Sequence, residues 1–288
     1  MTKPVFRFAP SPNGHLHLGH AYSALLNQKM AREMEGKLLL RIEDIDTTRC
    51  TQELETQMLR DLEWIGFEWD EKPRRQSEHF EEYAQALEKL KALDLIYPSN
   101  LSRSEIKKII AEKEAQGVNW SKDPDGTPLY PGDERTLSTD QHAALISSSQ
   151  TYALRLNMQK AVQCIKQEIS WTEIDRDKPI VEEPLDWGDV ILARKGFPVS
   201  YHLCCTLDDA LQGITHVVRG KDLYHATSIH ALLYKLLELQ SPLYHHHELI
   251  LDDNREKLSK SKNHTSLKDL RNTGMTTEQL KEILGFID

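Results

Sequence analysis

Short apolar runs alternate with helically spaced apolar residues over the first hundred positions of the chain. The runs at 5–8 and 37–42 predict two strands, the second of them buried. Between them, apolar residues from Leu25 to Met30 recur at helical spacing among alanines. Residues 52–66 and 78–95 have the pattern of amphipathic helices. Strand, helix and strand in this order predict a right-handed parallel unit.

The pattern changes after residue 97. Residues 98–184 are polar and irregular, with clusters of proline, glycine and serine, and are typical of an inserted subdomain. The strand-like pattern then resumes, followed by a predicted helix at 225–239. The three strand-like segments are 188–193, 197–203 and 214–219.

These elements predict an α/β fold with a parallel sheet, an inserted α+β subdomain and a short helical C-terminal tail. We expect two halves of a nucleotide-binding fold at 1–97 and 185–250. The insertion occupies 98–184 between them, and 251–288 holds a lysine-rich loop and the tail, with room for one or two short helices.

The composition excludes some classes of protein. A net charge of −9 over 288 residues argues against a protein that coats nucleic acid. A local basic excess at 255–271 is an exception, although such a run is more often a solvated loop. The sequence has no apolar signal-peptide region and no membrane-spanning run, so we expect a cytoplasmic protein with no membrane partner.

A turn rich in glycine, proline and histidine, APSPNGHLHLGHA, joins the first predicted strand to the first predicted helix. The free N–H groups at the start of such a helix suit a phosphate. His17 and His20 could donate hydrogen bonds to phosphoryl oxygens, and Gly14 and Gly19 would allow close approach. A metal site built from His15, His17 and His20 is the weaker interpretation, because no carboxylate or thiol is interleaved.

A second motif, KLSKS, occupies 257–261 inside the local basic excess. Lys257 and Lys260 could place an ammonium group on a triphosphate and stabilise the reacting phosphoryl group. The motif is weak evidence by itself, because loops of lysine and serine are common.

Together the two motifs resemble the signatures of the class I aminoacyl-tRNA synthetases. Successive blocks extend the resemblance to the catalytic domain of the glutamyl-tRNA synthetases, namely FAPSPNGHLHLGHA, LLLRIEDIDTTR, GDVILARKGFPVSYHLCCTLDDALQGITHVVRGKDL and KLSKS. The resemblance implies a Rossmann-like class I catalytic domain. It also implies ATP-dependent activation of L-glutamate to glutamyl-adenylate, with Mg²⁺ entering on ATP.

The resemblance assigns roles to individual residues. The glutamate pocket is expected to contain Arg7, Ala9, Ser11, Glu43, Tyr201, Cys205 and Arg219, with Glu43 on the α-ammonium group. The expected catalytic residues are His17, His20, Lys257 and Lys260, and the expected ATP-binding residues are Pro12, Gly14, His17, Gly19, His20 and Lys260. The chemistry of Arg7 and Arg219 agrees, because a guanidinium fork matches a carboxylate and glutamate has two. Either arginine alone would more readily be an ordinary ion pair.

Two differences from the full-length glutamyl-tRNA synthetases narrow the expected function. Glutamyl-tRNA synthetases continue into a helical anticodon-binding region, whereas this chain ends at Asp288, soon after KLSKS. That plan resembles the glutamyl-Q tRNA(Asp) synthetases, paralogues that attach glutamate to the queuosine base of tRNA(Asp). The second departure is Cys205, where full synthetases carry an asparagine. A thiol cannot replace the donor and acceptor of an amide, so we expect glutamate to be held differently and less tightly.

The expected partners are therefore L-glutamate, ATP and queuosine-containing tRNA(Asp), bound by a monomer that needs no tRNA for activation. Two alternatives stay open: a compact glutamyl-tRNA synthetase that charges a tRNA 3′ end, and a catalytically silent paralogue that binds tRNA or an amino acid. The glutamyl-Q family often holds a structural zinc in the insertion. The aligned positions here are Ser99, Leu101, Tyr130 and Glu134, so no thiolate is available and we expect no zinc.

Overall fold

The computed structural model describes residues 3–148, 151–250 and 265–286. The strands are β1 (Val5–Phe8), β2 (Lys37–Ile42), β3 (Arg74–Arg75), β4 (Ile96–Ser99), β5 (Ala153–Leu156), β6 (Ser170–Glu173), β7 (Ile180–Val181), β8 (Ile191–Arg194), β9 (His216–Gly220) and β10 (Leu243–His247). The helices are α1 (Leu18–Glu33), α2 (Gln52–Trp64), α3 (Phe80–Ala92), α4 (Arg103–Ala115), α5 (Thr139–Ser148), α6 (Met158–Cys164), α7 (Tyr201–Leu211), α8 (Thr227–Leu236), α9 (Leu267–Asn272) and α10 (Thr277–Ile283).

The central sheet has seven strands in the order β3-β2-β1-β9-β10-β6-β7. Neighbouring strands from β3 to β6 are parallel, and β7 is antiparallel to β6. From β1 the chain passes through α1 to β2, and from β9 it passes through α8 to β10 on the opposite side. The winding direction therefore reverses between β1 and β9. Ligands of open α/β sheets bind at the carboxyl ends of strands beside such a switch point.

A smaller antiparallel sheet, β4-β5-β8, lies beside the central one. Of its strands, β4 crosses the first boundary of the predicted insertion, β5 lies inside the insertion and β8 follows it. Strand β6, also inside 98–184, pairs with β10 of the central sheet. The predicted domain boundaries stay a prediction, because neither sheet begins or ends at residue 98 or 184.

Most of the predicted elements are confirmed, including the strands at 5–8 and 37–42 and the helices at 52–66 and 78–95. The predicted strand at 197–203 is wrong, because α7 begins there, at Tyr201. Its apolar residues continue at helical spacing and pack against α8, and a short apolar run does not distinguish a buried helix from a strand.

The C-terminal helices α9 and α10 pack on the first half of the fold. Leu267, Leu280 and Leu284 join the core cluster that contains Leu62 of α2. Thr277 also donates a hydrogen bond from its hydroxyl to the Trp64 carbonyl, at 2.7 Å. The predicted short helical tail is thus confirmed. Across the described residues, we find no helix with the length and apolar character needed to cross a membrane.

Candidate active site

A cavity of about 1150 Å³ opens at the switch-point edge of the central sheet. Ser11, Glu43 and Tyr201, all predicted for the glutamate pocket, line it together with His202. The cavity continues toward the small sheet and α4, where its lining residues include Arg103, Lys107, Arg155 and Arg194. The fold therefore brings together residues from the loop after β1, the end of β2 and the start of α7.

The histidines of the HLGH turn cap α1. His17 is the N-cap residue, and its Nδ1 accepts a hydrogen bond from the Gly19 N–H at 3.1 Å. In return, His20 Nδ1 accepts from the His17 N–H at 3.1 Å. The two rings lie 3.8 Å apart between centroids. This reciprocal arrangement is a capping box in which imidazoles replace the usual hydroxyl and carboxylate.

These backbone contacts also fix the neutral ring tautomers. A ring nitrogen that accepts a hydrogen bond carries no proton, so Nε2 carries the proton in both His17 and His20. Gly19 permits the arrangement, because a Cβ at this position would lie 3.1 Å from a carbon atom of the His17 ring. The turn therefore supplies two imidazole N–H donors at the start of a helix, which suits a phosphate.

The HLGH turn is attached to the chain that follows KLSKS. The Leu267 N–H donates to the Leu16 carbonyl at 2.8 Å, and His17 and Ser266 form an isolated β-bridge. The predicted catalytic lysines, Lys257 and Lys260, lie outside the described residues. Their roles stay predictions, as do those of Ala9, Pro12 and Gly14 in the connection from β1 to α1.

Arg7, at the carboxyl half of β1, is paired with a carboxylate of the protein. Its Nε and Nη2 donate to Asp209 of α7 at 3.0 and 3.4 Å. Arg41 of β2 donates to the same carboxylate at 2.7 Å. Burial by itself disfavours the ionised form of Asp209, but Arg7 and Arg41 outweigh it and hold its pKa below the ordinary value. Arg7 therefore enters the site with its charge already matched, and a role in holding glutamate stays a prediction.

Glu43 and Cys205 border the same ion-pair cluster. Burial raises the pKa of Glu43, because Arg41 at 3.4 Å and Arg7 offset only part of the desolvation. Burial and the Asp209 charge raise the pKa of the Cys205 thiol to about 12, so the thiol is protonated. Its sulfur lies 3.8 Å from Asp209 Oδ2, as a weak donor to that carboxylate. The effect of Cys205 on glutamate affinity stays a prediction.

Sequence reasoning missed Arg41 and interpreted Asp208 and Asp209 as helix-cap or structural acids. Asp208 accepts hydrogen bonds from Arg74, Gln76 and Tyr83. These acids are not N-terminal caps, because they lie near the end of α7 and are buried. The available signal was charge inside two mostly apolar elements: an arginine in KLLLRI and two aspartates in YHLCCTLDDAL.

Arg219, near the carboxyl end of β9, has a different environment. Its Nε donates to His246 Nε2 and its Nη1 to His230 Nδ1, both at 3.1 Å. Its Nη2 donates to the Thr227 hydroxyl at 2.7 Å and to the Leu223 carbonyl at 3.3 Å. Among the described residues, no carboxylate forms an ion pair with Arg219.

The supports of Arg219 reach back to the cavity. His230 is bonded through Nε2 to Nδ1 of His202 at 3.1 Å. Burial and, second, the positive charge of Arg219 lower the pKa of His202 to about 4. Tyr201 packs edge-on against the His202 and His230 rings, and burial raises its pKa well above the ordinary value. These side chains are therefore neutral near pH 7.

The expected zinc positions hold a different kind of cluster. Arg155 donates through Nε to the Ser99 hydroxyl at 3.0 Å, and its guanidinium carbon lies 3.6 Å from the centre of the Tyr130 ring. The Tyr130 hydroxyl donates to Glu134 at 2.7 Å. A guanidinium carries only donors and a positive charge, so these residues do not fit zinc. Elemental analysis of the purified protein would test the predicted absence of zinc.

One other group in the described residues has metal-ligand geometry. The ligand atoms of Glu173, Asp175 and His245 lie within 4.8 Å of one another. Glu173 already accepts from the His246 ring at 2.5 Å and from the His246 N–H at 3.1 Å. Since both its oxygens have donors, this group is a poor metal site, and the prediction of no metal ligand stays a prediction.

Comparison with known proteins identifies the family. The class I tRNA synthetase (E and Q) catalytic domain family matches residues 4–286. The chain is 41% identical to the glutamyl-Q tRNA(Asp) synthetase of Rhodobacter capsulatus, over 98% of this chain and 99% of that protein. It is 37% identical to the glutamate–tRNA ligase of Synechococcus sp. strain CC9311, covering 95% of this chain and 56% of the relative.

The solved structures agree. The crystal structure of the glutamate–tRNA synthetase of Elizabethkingia anophelis superposes with a TM-score of 0.74 at 29% identity, covering 95% of this chain and 54% of that one. The chain thus spans just over half the length of the glutamate–tRNA ligases that it resembles. The chain belongs to the class I tRNA synthetases (E and Q), as a catalytic domain of that family, and is a ligase.

Proposed function

We propose that this ligase activates L-glutamate with ATP, without tRNA, and transfers the glutamyl group to the queuosine base in the anticodon of tRNA(Asp). The observation that carries the amino-acid half of the proposal is the buried Arg219, which no described carboxylate neutralises. The RNA half is supported by the 41% identity to the glutamyl-Q tRNA(Asp) synthetase, which extends over nearly all of both chains.

Glutamate would lie in the cavity beside Glu43 and would reach the buried Arg219, which is connected through His230 to the lining residue His202. One substrate carboxylate would accept from the Arg219 guanidinium, and the α-ammonium group would face Glu43. Since burial raises the pKa of Glu43, a bound ammonium would favour its ionised form. The site therefore offers opposite charges to the two ends of an amino acid.

The phosphates of ATP would lie at the start of α1. The α-carboxylate oxygen of glutamate attacks the α-phosphorus, a new P–O bond forms, and the bond to the leaving pyrophosphate breaks. His17 and His20 would donate through Nε2 to phosphoryl oxygens, and Lys260 would neutralise the charge that develops in the transition state. Mg²⁺ would enter with ATP and balance its phosphate charge.

The second step would place a hydroxyl of the queuosine cyclopentene ring at the glutamyl-adenylate carbonyl, so that an ester forms and AMP leaves.

The ligase would act as a monomer in the cytoplasm. Positive side chains at the outer part of the cavity, Arg103, Lys107 and Arg194, are available for RNA phosphates. Binding of the RNA should therefore weaken as salt rises.

The test of activation is glutamate-dependent exchange of labelled pyrophosphate into ATP, without RNA. His20→Ala and Lys260→Ala should each lower the exchange rate by about 100-fold or more, because each removes a donor to charge that develops in the transition state. Folding is checked by thermal melting. Exchange near the wild-type rate in a folded variant would contradict the assigned role.

The test of transfer uses labelled glutamate with three RNAs: queuosine-containing tRNA(Asp), the same tRNA without queuosine, and tRNA(Glu). The first alone should become labelled, and the label should survive removal of the 3′-terminal nucleotides. Label on tRNA(Glu) would favour a compact enzyme that charges a 3′ end. Exchange activity without label on any RNA would refute the transfer step, and absence of both would favour a silent binding paralogue.

A further inference from the structure

The hydrogen bonds around Arg219 determine which ring nitrogen of each neighbouring histidine carries a proton. Arginine has donors and no acceptor, so each histidine that it contacts must offer a lone pair. His246 offers Nε2 and His230 offers Nδ1. The two imidazoles therefore present opposite ring nitrogens to one guanidinium.

The opposite nitrogen of each ring carries the proton and has its own acceptor. His246 Nδ1 lies 2.5 Å from Glu173 Oε1, and His230 Nε2 lies 3.1 Å from His202 Nδ1. Burial lowers the pKa of both His246 and His230, and at His246 the neighbouring Glu173 offsets only part of that effect. Both rings are therefore neutral and each is held in one tautomer.

This arrangement holds the Glu173 carboxylate near Arg219 but out of direct contact with it. Glu173 lies behind His246, so one imidazole separates its negative charge from the guanidinium. A carboxylate in direct contact would form a charge-assisted pair and compete with a substrate carboxylate. Among the described residues, four of the five N–H groups of Arg219 donate to acceptors of the protein, and the fifth, on Nη1, has no acceptor there.

We propose that His230 and His246 are positioning residues of the glutamate site: as neutral imidazoles they accept hydrogen bonds from Arg219, fix its orientation and leave its charge for the substrate carboxylate. This inference rests on the proposed use of glutamate. It assigns a specificity role to two histidines outside the sequence signatures, one on α8 and one on β10. Their contribution is to the binding of the amino acid, and ATP binding does not depend on it.

Matched amide substitutions distinguish this role from simple packing. Asparagine places its amide near the Nδ1 position of histidine, and glutamine places its amide near Nε2. His230→Asn and His246→Gln therefore retain the acceptor for Arg219, whereas His230→Gln and His246→Asn displace it. The measurement is KM for glutamate and for ATP, with kcat, in pyrophosphate exchange, together with thermal melting of each variant.

We expect KM for glutamate to rise about tenfold or more in His230→Gln and His246→Asn, as for the loss of one hydrogen bond to a charged group. In His230→Asn and His246→Gln, KM for glutamate should stay within about threefold of the wild-type value. KM for ATP should change little in all four. If asparagine and glutamine have equal effects at each position, or if kcat falls while KM for glutamate stays constant, the inference is wrong.

Direct binding of L-glutamate by calorimetry provides a second measurement, without ATP or RNA. The variants should rank in the same order by Kd for glutamate as by KM for glutamate. Absence of glutamate-dependent exchange in the wild-type protein would refute the proposed function itself. Wild-type exchange with the wrong order of variants would refute only the roles of His230 and His246.

Discussion

Arg7 and Arg219 lie on adjacent parallel strands, both near the carboxyl end and both buried, yet their surroundings differ in charge. Arg7 shares the Asp209 carboxylate with Arg41, whereas Arg219 has two imidazoles, a hydroxyl and a carbonyl. A carboxylate of the protein neutralises the positive charge at Arg7, whereas the described acceptors of Arg219 are neutral and leave its charge to act on a ligand. Equivalent positions on neighbouring strands can therefore divide structural and binding roles.

The strongest test of this comparison is Asp209→Asn, which removes the carboxylate shared by Arg7 and Arg41. We expect the free energy of unfolding to fall by about 3–5 kcal/mol, because two buried guanidinium groups lose the carboxylate that they share. Urea denaturation measures the change. Glu68→Gln is the control, because it breaks an exposed pair with Arg32 and should change stability by less than about 1 kcal/mol. Equal losses would contradict the buried role of Asp209.

The histidines beside Arg219 should give this region its own pH dependence. The folded pKa of His202 is about 4, below the ordinary 6.5, so between these values the unfolded chain binds a proton that the folded chain does not. Stability should therefore fall as pH drops from 6.5 to 4, with about 3 kcal/mol from this residue. His202→Asn should flatten that part of the profile, measured by urea denaturation at each pH. The exposed His225→Asn is the control and should keep the wild-type slope.

Lysine substitutions at both arginines compare the roles directly. Lysine keeps the charge but loses the fork. Arg219→Lys should lower kcat/KM for glutamate by about 30-fold or more with a small change in melting temperature. Arg7→Lys should lower the melting temperature more and kcat/KM less, because Asp209 is its main partner. The reverse order in both measurements would show that Arg7 is the principal carboxylate ligand.

A smaller effect is expected outside both arginine clusters, at Gly19. A Cβ there would lie 3.1 Å from the His17 ring, so Gly19→Ala should displace the imidazole by a few tenths of an ångström. We expect KM for ATP to rise about threefold to tenfold while KM for glutamate stays unchanged. Pyrophosphate exchange at varied concentrations of each substrate measures both. A parallel change in both values would mean that the two subsites are not independent.

The sequence predicted those parts of the fold that depend on local pattern. Helical spacing located α2 and α3, and short apolar runs located β1 and β2. It failed at 197–203, where a short apolar run suggested a strand but α7 begins at Tyr201. Helix or strand there is decided by packing against α8, which no local pattern contains.

In the candidate site too, sequence patterns identified neighbours that are consecutive in the chain and missed those that are far apart. The HLGH turn was correctly predicted to begin a helix, because strand, glycine-rich turn and helix are consecutive in the chain. Its binding of phosphate stays a prediction. The partners of Arg7 and Arg219 could not be recognised, because Asp209, His230 and His246 come from elements far apart in sequence. His246 and His247 are buried, and His246 contacts Arg219.

The bridge between His17 and Ser266 joins the first motif to the chain that follows the second motif in sequence. Lys260 is six residues from Ser266 along the chain, a distance of at most about 20 Å when fully extended. The covalent chain by itself therefore limits the separation between Lys260 and the HLGH turn, and a lysine attached in this way would have a high effective concentration at a phosphate bound there. Lengthening the chain between Lys260 and Ser266 with glycine and serine would dilute the lysine without altering a single side chain of the site.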